Sequence, residues 1–326
     1  MGFLTLLTFF FIAFAIELVY FRIALKYKII DHPNHRSSHS KITIRGGGII
    51  FCLLLLLSPF YLGWGYSYFL SGLFLICLIS FTDDIKPISN RIRIVFHLTA
   101  VALLFSQLGI YHLPFYWILL AFVFVIGIIN AINFMDGING ITGGFGLVTL
   151  VTLYYINSNI ISFTDRGLLT LPILAVLVFN FFNFRKKAKC FAGDVGSVGL
   201  GFIVLFFLLQ LIIKTNNLNY LLLLLVYVLD TSTTILFRII RKENIFKAHR
   251  SHFYQFWANE KKIPHLVVAG GYAILQAIVN LIVINISAQS IVNLLLTTGV
   301  TIVVFILIRL MIEGSTRIFN VKTQNV

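Results

Sequence analysis

Apolar residues in this chain run in long stretches without charge, Ile49–Leu57 and Tyr220–Val228 among them. A helix rising about 1.5 Å per residue needs about 20 apolar residues to cross roughly 30 Å of hydrocarbon. On that measure the pattern predicts membrane-spanning helices near residues 3–25, 46–62, 67–82, 91–110, 115–133, 141–157, 167–184, 197–214, 219–240, 264–286 and 291–312. The third is short, and the fifth and sixth are joined by a tight loop. About a third of the chain is left for loops, too little for a separate soluble domain. Neither an internal repeat nor a linker divides the sequence. The expectation is one all-α, polytopic transmembrane domain over residues 1–326, with about eleven spans. Met1–Tyr20 is apolar but lacks a basic leader and an A-x-A site, so it reads as a retained first span rather than a cleaved signal.

Composition sharpens this picture. The chain is 59% hydrophobic and 11% charged, with a mean hydropathy of +0.96. Soluble domains carry about 25% charged residues, so neither a cytosolic globule nor a disordered chain fits. The net charge of +14 could suggest a nucleic-acid partner. Its distribution argues otherwise. Of the 25 lysines and arginines, all but Arg166 and Lys214 fall in or beside loops that follow odd-numbered spans. Positive charge is retained on the cytoplasmic side, which predicts the N-terminus outside, the C-terminus inside and any chemistry on the cytoplasmic face. No nucleic acid is expected. Cys52 and Cys77 lie inside apolar runs, so the three cysteines suggest no disulfide framework.

Candidate chemistry gathers in those basic loops. Of eleven acidic residues, Asp31, Asp83, Asp84, Asp136 and Asp194 sit on four cytoplasmic connections at span ends. Carboxylates near lipid are costly unless paired or metal-bound. Clustered among Arg, Lys and His, they suit a hard divalent cation and phosphate oxygens; the plainer reading is that each neutralises a nearby cation. The first loop carries Arg36, His39 and Arg45 before Gly46, Gly47 and Gly48 at the start of the second span. Those glycines suit either an anion at a helix N-terminus or close helix packing. The second loop begins with Asp83 and Asp84, an adjacent pair that a metal, or a base beside one, would rationalise. The third reads Asn130-Ala-Ile-Asn133-Phe-Met-Asp136-Gly-Ile-Asn139, with Asn130 and Asn133 on one helical face that Asp136 would continue. The fourth is Gly193-Asp194-Val-Gly196-Ser197, and the fifth is His249-Arg250-Ser-His252-Phe-Tyr254-Gln255.

Together, in this order, these segments resemble the polyprenyl-phosphate N-acetylhexosamine-1-phosphate transferase superfamily, glycosyltransferase family 4, which includes WecA-type and MraY-type enzymes. The resemblance covers residues 31–255. An eleven-span layout is similar to the WecA type, and the His249–Gln255 ending looks closest to the branch that initiates O-antigen repeat units with amino-dideoxy sugars. What the resemblance implies is transfer of an N-acetylhexosamine 1-phosphate from a UDP-sugar to undecaprenyl phosphate, with UMP leaving, at the cytoplasmic face of a bacterial inner membrane. It implies Mg²⁺, with Mn²⁺ as the alternative ion, held by Asp194 and Asp136. Asp83 would deprotonate or orient the lipid phosphate beside Asp84, and His252 would complete the catalytic set. Substrate contacts would come from Arg36, His39, Arg45, Asn130, Asn133, Asn139, Asn183, His249 and Arg250. The partners are then undecaprenyl phosphate, a UDP-N-acetylhexosamine and the bilayer, with a homodimer left open because some members are dimeric.

Departures from the family pattern matter too. Asn139 stands where the family usually has Asp, and it supplies no charge. Asn183 matches the family's uridine-contacting Asn only loosely. Tyr254 and Gln255 offer a ring face and neutral hydrogen bonding, which would favour QuiNAc or FucNAc over GlcNAc; the alternative is that they only fold the loop. The rival functions are an MraY-type peptidoglycan-precursor transferase, a non-catalytic scaffold, and an ion-coupled transporter built on Glu17 or Asp230.

Overall fold

In the computed structural model, residues 2–31, 42–245, 249–285 and 291–319 are described. Arg36 and His39 lie outside them. The long helices are α1 (Phe3–Lys26), α4 (Ser67–Ile85), α5 (Asn90–Leu108), α6 (Phe115–Phe134), α7 (Ile141–Asn159), α8 (Arg166–Asn183), α9 (Gly193–Thr215), α10 (Leu225–Ile240), α12 (His265–Asn285) and α13 (Ile291–Glu313), with a single turn, α11 (Phe253–Gln255), between α10 and α12. Each expected span is helical, with two irregularities. The second is broken into α2 (Ile49–Leu56) and α3 (Pro59–Leu62), where Pro59 lacks the N–H that would carry the helix through. The ninth enters α10 through a 3₁₀ stretch, Leu218–Leu224. Among the described residues, nine helices are long and apolar enough to cross a membrane. The only sheet there is a two-residue ladder, β1 (Ile30–Asp31) antiparallel to β2 (Thr43–Ile44), which brings the ends of the first loop together.

The helix α9 is the hub. It packs against α2, α4, α6 and α7 and is the most buried of the candidate spans. Its aromatic face is locked to α4, where the Phe69 and Phe206 rings stack at 3.8 Å. At its N-terminal end the approach to α2 is closer than any side chain permits: a Cβ on Gly48 would stand 2.3 Å from the Gly196 Cα. Without a hydrophobic drive between helices in lipid, such small-residue contacts supply the van der Waals packing that joins them. Outer helices such as α13 are exposed along most of their length, with Val300, Val303 and Met311 facing outward as lipid-contacting residues should. Arg45, Arg93 and Arg185 lie at one end, where α4 and α6 finish and α9 begins.

Candidate active site

Three backbone segments knit at that end. The Phe191 N–H donates to the Ile44 carbonyl, and the Gly47 and Gly48 N–H groups donate to the carbonyls of Phe191 and Ala192. The glycine N–H groups are therefore occupied by the chain itself, and close packing, not anion binding, accounts for Gly47 and Gly48. Tyr20 supports the same layer from α1, its hydroxyl donating to the Arg45 carbonyl at 2.5 Å.

Asp84 sits inside this layer. Its Oδ1 accepts from Arg45 Nε at 2.7 Å and from the Asp194 N–H at 2.9 Å, and its Oδ2 accepts from the Val195 N–H at 3.0 Å. The carboxylate thus caps α9 from another helix and satisfies donors that a helix start leaves open. A Cβ on Gly193, which has φ +70°, would reach 2.6 Å from that carboxylate, so glycine is required there. Arg45 also lies 3.8 Å from Asp194. Burial opposes its charge, but Asp84 and Asp194 hold the guanidinium above its ordinary pKa.

Asp83 points the other way. It accepts from the Ile88 N–H and pairs with Arg93 at 3.1 Å, and its carboxyl neighbours that of Asp194 within hydrogen-bond reach. Two carboxylates this close repel unless they share a proton or a cation. Asp136 does not continue the face of Asn130 and Asn133, because α6 ends at Phe134 and Asp136 lies beyond its cap. It accepts from the Thr142 hydroxyl at 2.5 Å. Burial lifts its pKa to about 6, with the Thr142 bond opposing, the Asp84 charge adding and Arg45 opposing. Among the described residues, no group of three His, Cys, Asp or Glu forms a ready-made metal cage.

The asparagines split by role. Asn133 accepts from the Ser197 hydroxyl at 2.6 Å and ties α6 to α9, while Asn130 bonds back to the Ile126 carbonyl at 2.8 Å and lines a cavity. Asn139 donates to the Arg185 carbonyl at 2.9 Å, a role that an ionised Asp could not fill. Asn183 is buried with both ends of its amide engaged: it accepts from the Gly140 N–H at 2.7 Å and donates to the Cys190 carbonyl at 2.8 Å. In this arrangement Asn183 has both ends of its amide engaged by the loops around the site, while the Asn139 amide nitrogen holds the Arg185 carbonyl.

The fifth segment is anchored by Asp230. This fully buried carboxylate accepts from His252 Nδ1 at 3.2 Å, the Phe253 and Tyr254 N–H groups, the Tyr272 hydroxyl at 2.7 Å and the Thr234 hydroxyl at 3.2 Å. It is an anchor, not a mid-membrane ion site. Glu17, the other transporter candidate, lies against the Cys190 thiol beneath Gly47. Tyr254 is fully buried; its hydroxyl donates to the Phe134 carbonyl at 3.1 Å and fills the space where Gly137 has no Cβ. Gln255 accepts from the His252 N–H in a capping box. The Tyr254 ring is therefore not a sugar-facing wall; Gln255 folds the loop and also borders the cavity beside it.

A cavity of about 540 Å³ opens beside this segment, lined by Asn90, Arg93, His97, Asn130, His249 and His252, with Phe134 and Gln255. Burial, with His252 and Arg238 adding to it, holds the His249 imidazole down to about 3, so it is neutral at pH 7. Arg250 turns away and lines a smaller charged cleft with Arg241, Glu243 and Arg309. Arg93, a basic residue just beyond the Asp83-Asp84 segment in sequence, joins the site, and so does His97, whose only signal is its position fourteen residues after Asp83 across a helix break.

Residues 66–212 match the model of a family described as glycosyl transferase family 4. A Bacillus subtilis (strain 168) protein described as a probable undecaprenyl-phosphate N-acetylglucosaminyl 1-phosphate transferase is 26% identical over 253 residues, 72% of this chain and 70% of its own. The matched stretch contains the Asp83-Asp84 pair, the Asn130–Asn139 segment and Asp194, three of the five segments met in sequence. Both matches support, for this all-helical membrane protein, the superfamily of polyprenyl-phosphate hexosamine-1-phosphate transferases.

Proposed function

We propose that the protein transfers an N-acetylhexosamine 1-phosphate from a UDP-sugar to undecaprenyl phosphate at the cytoplasmic face of a bacterial inner membrane. The observation that carries this reading is the meeting of Asp83, Asp194, Arg45 and Arg93 at the start of α9, beside the cavity holding Asn130 and His252. Phosphoryl transfer needs positioning and charge neutralisation more than covalent chemistry, and this set supplies both signs of charge. An oxygen of the lipid phosphate attacks the sugar-bearing phosphorus; the bond from that phosphorus to the UMP oxygen breaks, and UMP leaves. Asp83, oriented by Arg93, directs the attacking phosphate. His252, with Nδ1 on Asp230, keeps Nε2 for a ligand in the cavity.

Mg²⁺ fits the residues present. It binds through one or two carboxylates plus substrate phosphates, and the adjacent Asp83 and Asp194 carboxyls meet that need. Its chemistry there would be neutralisation of phosphate charge. Asp136, engaged by Thr142, is a weaker candidate ligand than the sequence suggested. The product would initiate an O-antigen or other surface glycan.

The test is UMP release in membranes carrying the full chain, with undecaprenyl phosphate and a panel of UDP-GlcNAc, UDP-QuiNAc and UDP-FucNAc. Release should require Mg²⁺, stop with chelator and be abolished by Asp194→Asn in protein that still inserts. No release with any donor, or full turnover by Asp194→Asn, would sink the reading. Because Tyr254 is buried, the choice among these sugars rests on other cavity residues, and Tyr254→His should damage the loop before it alters the sugar.

A further inference from the structure

The sequence offers Arg309 only as one of the charges that orient the last span. A residue serving that purpose alone would sit among headgroups. Arg309 is instead 1% exposed and is the largest fully buried side chain among the described residues. Burying a guanidinium at the end of a membrane helix is costly unless its donors are used, and here all three nitrogens donate, through four of the five N–H groups. Nε pairs with Glu313 at 2.5 Å, Nη1 donates to the Thr233 and Thr234 hydroxyls at 2.9 Å each, and Nη2 donates to the Ser251 carbonyl at 3.0 Å. The cation also lies over the rings of Phe237 at 5.0 Å and Phe253 at 5.6 Å.

These bonds run in one direction. A threonine hydroxyl has one proton, and Thr234 gives its proton to Asp230, so its lone pairs are what Arg309 meets. Asp230 in turn accepts from His252, Phe253 and Tyr254. Arg309 therefore reaches the 249–255 segment twice, directly at Ser251 and through Thr234 and Asp230 at His252.

We propose that Arg309, on the last membrane helix and outside every motif of the sequence, is a positioning residue that holds the His249–Gln255 segment in place for transfer. The proposal rests on the reading that this segment meets the substrates. Arginine is required because its donors diverge from a rigid plane, whereas lysine offers a compact charge that cannot span Glu313, the threonines and Ser251 at once.

The experiment uses the full chain in lipid nanodiscs, comparing Arg309→Lys, Arg309→Met and the milder Glu313→Gln. Hydrogen exchange reads the brace without needing activity. Peptides covering 249–257 should exchange at least about 10-fold faster in both Arg309 variants, while peptides in α4 and α9 stay unchanged. Glu313→Gln should fall between and covers the case that an Arg309 variant does not fold. In UMP release, kcat should drop by about 100-fold, as for a misplaced catalytic group, with KM for the UDP-sugar within about 3-fold. Native exchange and native kcat in Arg309→Lys would overturn the proposal, and so would a uniform rise in exchange across all helices, which would mark a merely structural residue. A local exchange change in a chain that shows no transfer even unmodified would uphold the brace and overturn the proposed function.

Discussion

Asp84 closes the N-terminal end of a helix to which it does not belong: its Oδ2 accepts the Val195 N–H at 3.0 Å, while its Oδ1 takes the Asp194 N–H and Arg45. Asp83, one residue earlier, faces Arg93 and the Asp194 carboxyl. Two adjacent and chemically identical residues thus make different contacts, one joining α4 to α9 and one, to which the proposed function gives the lipid phosphate, paired with Arg93.

That division predicts a separation of effects. Asp84→Asn should lower the thermal midpoint in detergent, because an amide nitrogen then opposes a helix-end N–H or Arg45, a loss of about 1–3 kcal/mol. Asp83→Asn should leave the midpoint near that of the unmodified protein yet reduce transfer by at least about 100-fold. Equal loss of stability in the two variants would contradict the assignment.

Gly48→Ala should give little monodisperse protein, since its Cβ would meet the Gly196 Cα at 2.3 Å and backbone cannot step aside. Overpacking of this kind costs about 1–3 kcal/mol or more. Gly271→Ala is the control: nothing lies within 4 Å of its Cβ position, and alanine is the better helix former. Size-exclusion profiles of the two variants make the comparison.

Asn139→Asp restores the residue the family usually has, and here it should destabilise. The Asn139 amide donates to the Arg185 carbonyl, and a carboxyl can do so only while protonated. Its folded pKa would then lie above the unfolded value of about 3.9, so its contribution is present below that value and is lost as pH rises through the folded one. The gap in thermal midpoint between variant and parent should widen from pH 5 to pH 8. A constant gap would show that the loop rearranges around the carboxylate.

Orientation is open to direct labelling. With the native cysteines removed, a cysteine at Tyr111 should react with an impermeant thiol reagent from outside, and one at Ser89 should not, as the one-sided distribution of Lys and Arg requires. The reverse pattern would move the whole site to the other face.

The sequence by itself determined that this chain lives in a membrane, where its helices begin and end within a few residues, and at which span ends its acidic motifs gather. Those properties are local: uninterrupted apolar runs and the placement of charges between them decide them without reference to what packs against what. It also held the motif order that pointed to phosphosugar transfer. What each motif residue does was decided only by tertiary structure, because hydrogen-bond partners come from far along the chain. Gly48 could cradle an anion or meet a helix, and only the position of Gly196, 148 residues later, shows that packing needs it. Tyr254 could wall a sugar or fold a loop, and the Phe134 carbonyl and Gly137 show the second. Arg309 was the least legible. A charge at a span end carries the same topological signal whether it faces headgroups or lies buried against Thr234 and Ser251, and burial is a property of the assembled bundle rather than of any one helix.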